Sequence, residues 1–314
     1  MIRVLDGIDA FLDQLTAVDP LPVLFAVLAQ LAKLTCTSMA WRNVLAAAYP
    51  QDAVRRRSIV GAYLAGVGVN AVIPLRAGDA VRVLLAHRAI EGSTYTTVVS
   101  STLVLSIFDI AAASTLLAWA ALTQDALPGL GELPELPSFD FSWLLDNPLP
   151  TELLLAALVI VAVGVGLWIH GHVLDFGSRV KQAFTVVRRP ALYLRTVAFW
   201  QAGDWVFRLI AIWFLLDAFD IPQSPENVLL VQVSASIATL LPLTPAGIGT
   251  EQAFLLYVFQ GTVPSSQLLA FSVGLKFMTV GTNVIAGFTA IAVTLRTLRY
   301  RKALAPTEDP VSEP

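Results

Sequence analysis

Long apolar runs separated by short polar links set the pattern of this chain. A membrane-spanning helix needs about 20 mostly apolar residues. Residues 22–41, 58–73, 94–122, 151–169, 196–216, 227–241 and 267–295 are candidates, while the apolar stretch 252–259 is too short to cross alone. The runs at 58–73 and 227–241 are also short, and each ends at a proline, Pro74 or Pro242. Before the first run, Ile2, Leu5, Ile8, Leu12 and Leu15 recur at helical spacing among Asp6, Asp9 and Asp13. That spacing predicts an amphipathic helix that lies on a membrane surface or packs on the rest of the protein. It has no basic leader, so no cleavable signal peptide is expected. The organisation expected is an interfacial segment 1–21, one membrane domain 22–302 with halves near 22–122 and 151–295, and a Pro- and acid-rich disordered tail 303–314.

Composition sharpens this into a fold class. The chain is 56% hydrophobic and 14% charged, with mean hydropathy +0.71, against roughly 25% charged residues in soluble domains. Helices facing hydrocarbon need no polar outer face. The fold expected is an all-α polytopic membrane protein of about six to eight membrane helices. The net charge of −3 argues against nucleic acid as a partner. One cysteine, Cys36, allows no internal disulfide, and His87, His170 and His172 are too scattered for a metal site. No cofactor is expected.

Basic loops stay on the cytoplasmic side. Arg42, Arg55, Arg56 and Arg57 follow the first run; Arg179, Lys181, Arg188, Arg189 and Arg195 follow the 151–169 run; Arg296, Arg299, Arg301 and Lys302 follow the last. Residues 123–150 hold no Lys or Arg but five acids, and the link 217–226 also lacks Lys and Arg. Those two are expected outside. Single crossings at 58–73 and 227–241 conflict with this orientation. The repair is a hairpin entering from the cytoplasm, breaking near 74–78 and returning through 79–91, and a second hairpin over 227–261 entering from outside.

The two breaks resemble each other. The first reads Asn70-Ala-Val-Ile-Pro74-Leu-Arg76-Ala-Gly78-Asp79-Ala-Val-Arg82, the second Thr239-Leu-Leu-Pro242-Leu-Thr-Pro245-Ala-Gly247-Ile-Gly249-Thr-Glu251. Proline removes a helix hydrogen bond, and glycine tolerates the restart. Matched broken helices of opposite orientation are the pattern of an inverted-repeat transporter with re-entrant hairpins. A helix restarting after Gly78 or Gly249 aims its positive end at the cavity, where an anion such as a lipid phosphate would sit. Arg76, Gly78, Asp79, Arg82, Pro242, Pro245, Gly247, Gly249 and Glu251 are therefore the candidate headgroup-binding residues. The plainer alternative is that Arg76, Asp79 and Arg82 form a salt-bridged turn near the headgroups.

Charges also sit deep within the apolar runs: Lys33, Asp109, Asp204, Arg208 and Lys276. Each costs about 2.5–3.5 kcal/mol at a helix centre. Asp204 and Arg208, four apart, can pair along one face, as a structural strut or as part of the site. Lys33 and Lys276 have no partner in their own runs and must find Asp109, Glu251 or a ligand. With Asn70, these residues form the expected polar support. The membrane-embedded part thus holds five cations (Lys33, Arg76, Arg82, Arg208, Lys276) against four anions (Asp79, Asp109, Asp204, Glu251).

On the two break motifs, from Asn70 to Arg82 and from Leu241 to Glu251, the chain resembles the lysylphosphatidylglycerol synthase transmembrane family, the flippase-like region of the bacterial multiple peptide resistance factor. The resemblance covers most of the chain. The family often has Glu where this chain has Asp79, and Gly where it has Ala246. The resemblance implies handling of a membrane lipid, an anionic phospholipid or a polyprenyl phosphate, across a bacterial cytoplasmic membrane. It does not imply the synthase reaction, which belongs to a separate soluble domain. The expectation is a non-enzymatic lipid flippase. The alternative is a membrane-embedded transferase, or an accessory subunit acting with a polyprenyl-linked glycosylation enzyme. A homo-oligomer or a separate lipid-modifying enzyme is the other partner to consider.

Overall fold

A computed structural model describes residues 18–73, 77–122, 173–240, 250–259 and 261–303. These residues form helices and their links, with no strand among them. The helices are α1 (Pro20–Ala48), α2 (Arg56–Val72), α3 (Ala77–Ala89), α4 (Tyr95–Leu122), α5 (Val173–Ala183), α6 (Pro190–Ala218), α7 (Pro225–Leu240), α8 (Thr250–Val258) and α9 (Ser265–Ala303). Helix α6 carries one π turn at Leu194–Ala198. Four helical stretches are long and apolar enough to cross a membrane: Pro20–Ala48, Tyr95–Leu116, Pro190–Ala218 and Ser265–Val293. The chain is a multi-pass membrane protein. The amphipathic segment 1–17, the acidic link 123–150, the run 151–169 and the tail lie outside the described residues.

Helix boundaries follow local chemistry. Asp19 caps α1, its carboxylate accepting the Leu21 N–H at 3.0 Å, with Pro20 in the first turn. Helix α1 runs past residue 41 to Ala48 and stops before Pro50. Trp41, Val44 and Leu45 in that extension are fully buried, so packing carries the helix past the lipid-facing run. Helix α2 ends at Val72, and Ile73 turns to extended backbone as the residue before proline must. Helix α7 starts at Pro225, where the Ser224 hydroxyl accepts the Asn227 N–H at 3.0 Å.

Large apolar side chains cover the outside of the bundle. Leu24, Phe25, Leu28 and Leu31 on α1 and Phe277, Ile285, Phe288 and Val293 on α9 are exposed. A helix that is apolar all round belongs in lipid.

Inside, two hydrophobic clusters lie toward opposite ends of α1. One joins Leu34–Tyr49 of that segment to Ile59 and Tyr63 of α2, Ala86 of α3 and Val98 and Val104 of α4. The other joins Ala26 and Ala29 to Leu215 and Leu216 of α6, Val231 of α7, Leu255 and Phe259 around α8, and Phe271 of α9. Thus the α2–α3 pair belongs to the cluster around one end of α1 and the α7–α8 pair to the cluster around the other.

The helix contacts also repeat. The most extensive packing joins α1 to α6. Among these eight helices, exchanging α1, α2, α3 and α4 for α6, α7, α8 and α9 maps contact onto contact: α1–α2 onto α6–α7, α2–α3 onto α7–α8, α3–α4 onto α8–α9, α2–α9 onto α7–α4; the contacts of α5 have no counterpart.

Candidate functional site

Helices α2 and α3, which flank residues 74–76, pack side by side in opposite directions. Helix α3 doubles back along α2, so that Gly66 faces Arg82 and Asn70 faces Gly78 and Asp79. Glycine is required on both sides. A Cβ on Gly78 would collide with the Gly66 carbonyl oxygen, and one on Gly66 would come within 2.7 Å of the Gly78 carbonyl oxygen. Asn70 closes the loop by accepting the Gly78 N–H at 2.7 Å and donating to Asp79 at 2.9 Å. At the positive end of α3 the Asn70 amide oxygen thus takes the Gly78 N–H, with the Asp79 carboxylate in the same turn. Arg82 reaches back to Asp79 at 3.4 Å and lays its guanidinium 5.8 Å from the centre of the Trp41 ring.

A second polar group lies between the two hydrophobic clusters. Asp204 of α6 is buried and accepts from Thr37 of α1 and from Arg208 at 2.7 Å. Arg208 stacks 4.9 Å from the centre of the Trp205 ring, and the Trp205 indole N–H donates to Asp109 of α4 at 3.1 Å. The Tyr63 hydroxyl of α2 faces Thr37, within electrostatic reach of Asp204, Arg82 and Arg208. Lys33 lies within the same reach of Arg208, Asp204 and Asp109 but forms no ion pair among the described residues.

The sequence-based pairing of Asp204 with Arg208 is present, and Lys276 finds Glu251, which is buried, in an ion pair between α9 and α8. Pro74 and Arg76, and Pro242, Pro245, Gly247 and Gly249 of the second break, lie outside the described residues. Thr37, Tyr63, Trp205 and Trp41 were not singled out from the sequence. A threonine or an aromatic residue in an apolar run is ordinary. Only the fold shows which of them face a charge.

Residues 2–287 match the family described as Lysylphosphatidylglycerol synthase TM region. The chain belongs to that family. No curated protein and no solved structure matches it.

The Nε atoms of Arg82 and Arg208 are both buried without a hydrogen-bond partner among the described residues. Among the described residues each guanidinium has one carboxylate, which leaves its Nε donor unused. Unused charged donors in a low-dielectric interior are costly, and an oxyanion with several acceptor oxygens satisfies them best.

Proposed function

We propose that the chain is a lipid flippase that moves an anionic lipid across a bacterial cytoplasmic membrane, holding the headgroup phosphate between Arg82 and Arg208. One observation carries this reading. Two guanidinium groups, each short of a partner at Nε among the described residues, are within electrostatic reach of Tyr63, and Lys33 is within the same reach of Arg208 and free of an ion pair among the described residues. The family membership and the helix contacts that repeat under exchange of the halves support it. In an inverted repeat, rocking one half against the other exposes a central site to each side in turn. The α2–α3 and α7–α8 pairs, toward opposite ends of α1, suit two re-entrant hairpins. On this reading no residue is catalytic.

The test is a reconstituted assay with fluorescent lipids that differ only in headgroup. Anionic phosphate lipids should cross faster than zwitterionic ones in vesicles containing the protein. Arg82→Ala should abolish the difference while the protein stays folded in detergent. Arg82→Lys should restore it only in part, because a point charge does not replace the planar fork. Unchanged transport of every anionic lipid in Arg82→Ala would refute the phosphate site.

A further inference from the structure

An elongated apolar cavity of about 760 Å³ runs between α1, α2 and α9. That volume falls within the range of ligand cavities, about 300–1,000 Å³. It is separate from the charged interior. Val60, Leu64, Ile285 and Val293 typify its walls, and among the described residues Arg57 is the only ionised side chain lining it. Arg57 is exposed and forms no ion pair among the described residues.

The helices give the cavity a direction. Leu64 of α2 meets Gly287 of α9, and Gly68, one turn later on α2, meets Gly287 and Asn283. The two helices are therefore antiparallel, and Arg57 lies at the Val293 end. From Val293 to Phe277, α9 rises about 24 Å at 1.5 Å per residue. One leaflet contributes about 15 Å of hydrocarbon, half of the bilayer core. Phe277, Ile285 and Val293 are exposed, so the cavity opens sideways toward lipid. Gly281 marks its empty space: a Cβ there meets nothing within 4 Å, whereas one on Gly287 would collide with Gly68.

We propose that this groove is a loading site for an anionic glycerophospholipid, with an acyl chain along α9 and the phosphodiester at Arg57. Charge complementarity selects that occupant. One guanidinium matches the single charge of a phosphodiester. A phosphomonoester such as a polyprenyl monophosphate carries about −1.5 to −2 and would be left undercompensated. A zwitterionic headgroup brings its own cation beside the phosphodiester, which competes with Arg57 for that charge. The site deepens the flippase reading by naming where lipid docks before its headgroup reaches Arg82, and it rests on that reading for its purpose, though not for its detection.

The test uses the whole protein in phosphatidylcholine nanodiscs, with photoactivatable-acyl phosphatidylglycerol or phosphatidylcholine and peptide mass spectrometry. The phosphatidylglycerol probe should label the α2 and α9 groove about fivefold more than the phosphatidylcholine probe, the effect of roughly one favourable basic contact. Arg57→Gln should erase the preference. Gly281→Phe should block groove labelling by both probes while labelling on the Leu24–Phe25 face of α1 persists; Gly281→Leu serves if the larger side chain prevents folding. Equal labelling by both probes in the unmodified protein would reduce the groove to ordinary lipid-facing surface. Labelling unchanged by the Gly281 variants, or displacement of the probe by polyprenyl monophosphate in preference to phosphatidylglycerol, would also overturn the proposal. Arg82→Ala should leave groove labelling intact, so a failure of the transport reading is read separately from a failure of the groove.

Discussion

Lys276 on α9 pairs with Glu251 on α8, so the charge at the middle of one apolar helix is answered by the first turn of another. Glu251 is the more enclosed partner. Removing Lys276 leaves that carboxylate buried and uncompensated, a loss of about 3 kcal/mol at most, since the lysine end is partly open. Lys276→Met should lower the thermal unfolding midpoint in detergent. The double variant Lys276→Met, Glu251→Gln should recover most of that loss. No recovery would mean the two side chains do not act as a pair.

Asn70 holds the first hairpin through two hydrogen bonds to the opening turn of α3. Asn70→Ala should cost about 1–2 kcal/mol, the scale of a lost helix cap. Asn70→Asp should be worse. Its carboxylate can still accept the Gly78 N–H but would face Asp79 with like charge. Adding Asp79→Asn should then restore stability. Denaturant or thermal unfolding of the four variants checks the order.

The three glycines at the α2–α9 contact and groove should respond differently to one methyl group. A Cβ on Gly68 or Gly287 meets the opposite backbone, which cannot move aside without separating the helices. Gly287→Ala should therefore destabilise by roughly 1–3 kcal/mol, an overpacking cost. Gly281→Ala, facing open space, should leave the unfolding midpoint within experimental error of the parent. Equal effects at the two positions would contradict the packing described.

Orientation is testable with single cysteines in a Cys36→Ala background. Basic segments 42–57 and 172–195 should be cytoplasmic, and 123–150 external. An impermeant maleimide should label a cysteine at position 138 in intact cells. Labelling there only after lysis would reverse the orientation.

The sequence by itself determined the solvent of this protein and much of its helix map. Runs of apolar residues tolerate lipid all round, and the proline at 74 ends the run before it because it removes a helix hydrogen bond and restricts the residue ahead of it. It also showed that Lys33 and Lys276 needed partners outside their own runs, with Asp109 and Glu251 as candidates, and that Asp204 and Arg208 could reach each other one turn apart. The outer bounds of α1 and α6 were not legible, because buried contacts rather than hydropathy extend them to Ala48 and back to Pro190. Nor was the central polar group. Thr37, Tyr63, Trp205 and Asp109 come from four different helices, and pattern along one chain carries no information about faces that meet across a bundle. Only packing decided that the Asn70 side chain would take the N–H of Gly78, and that Arg82 and Arg208 would come within electrostatic reach of the same tyrosine. The groove beside Gly281 has the same origin: small residues permit either close approach or empty space, and the antiparallel fit of α2 on α9 assigns Gly287 to the first and Gly281 to the second.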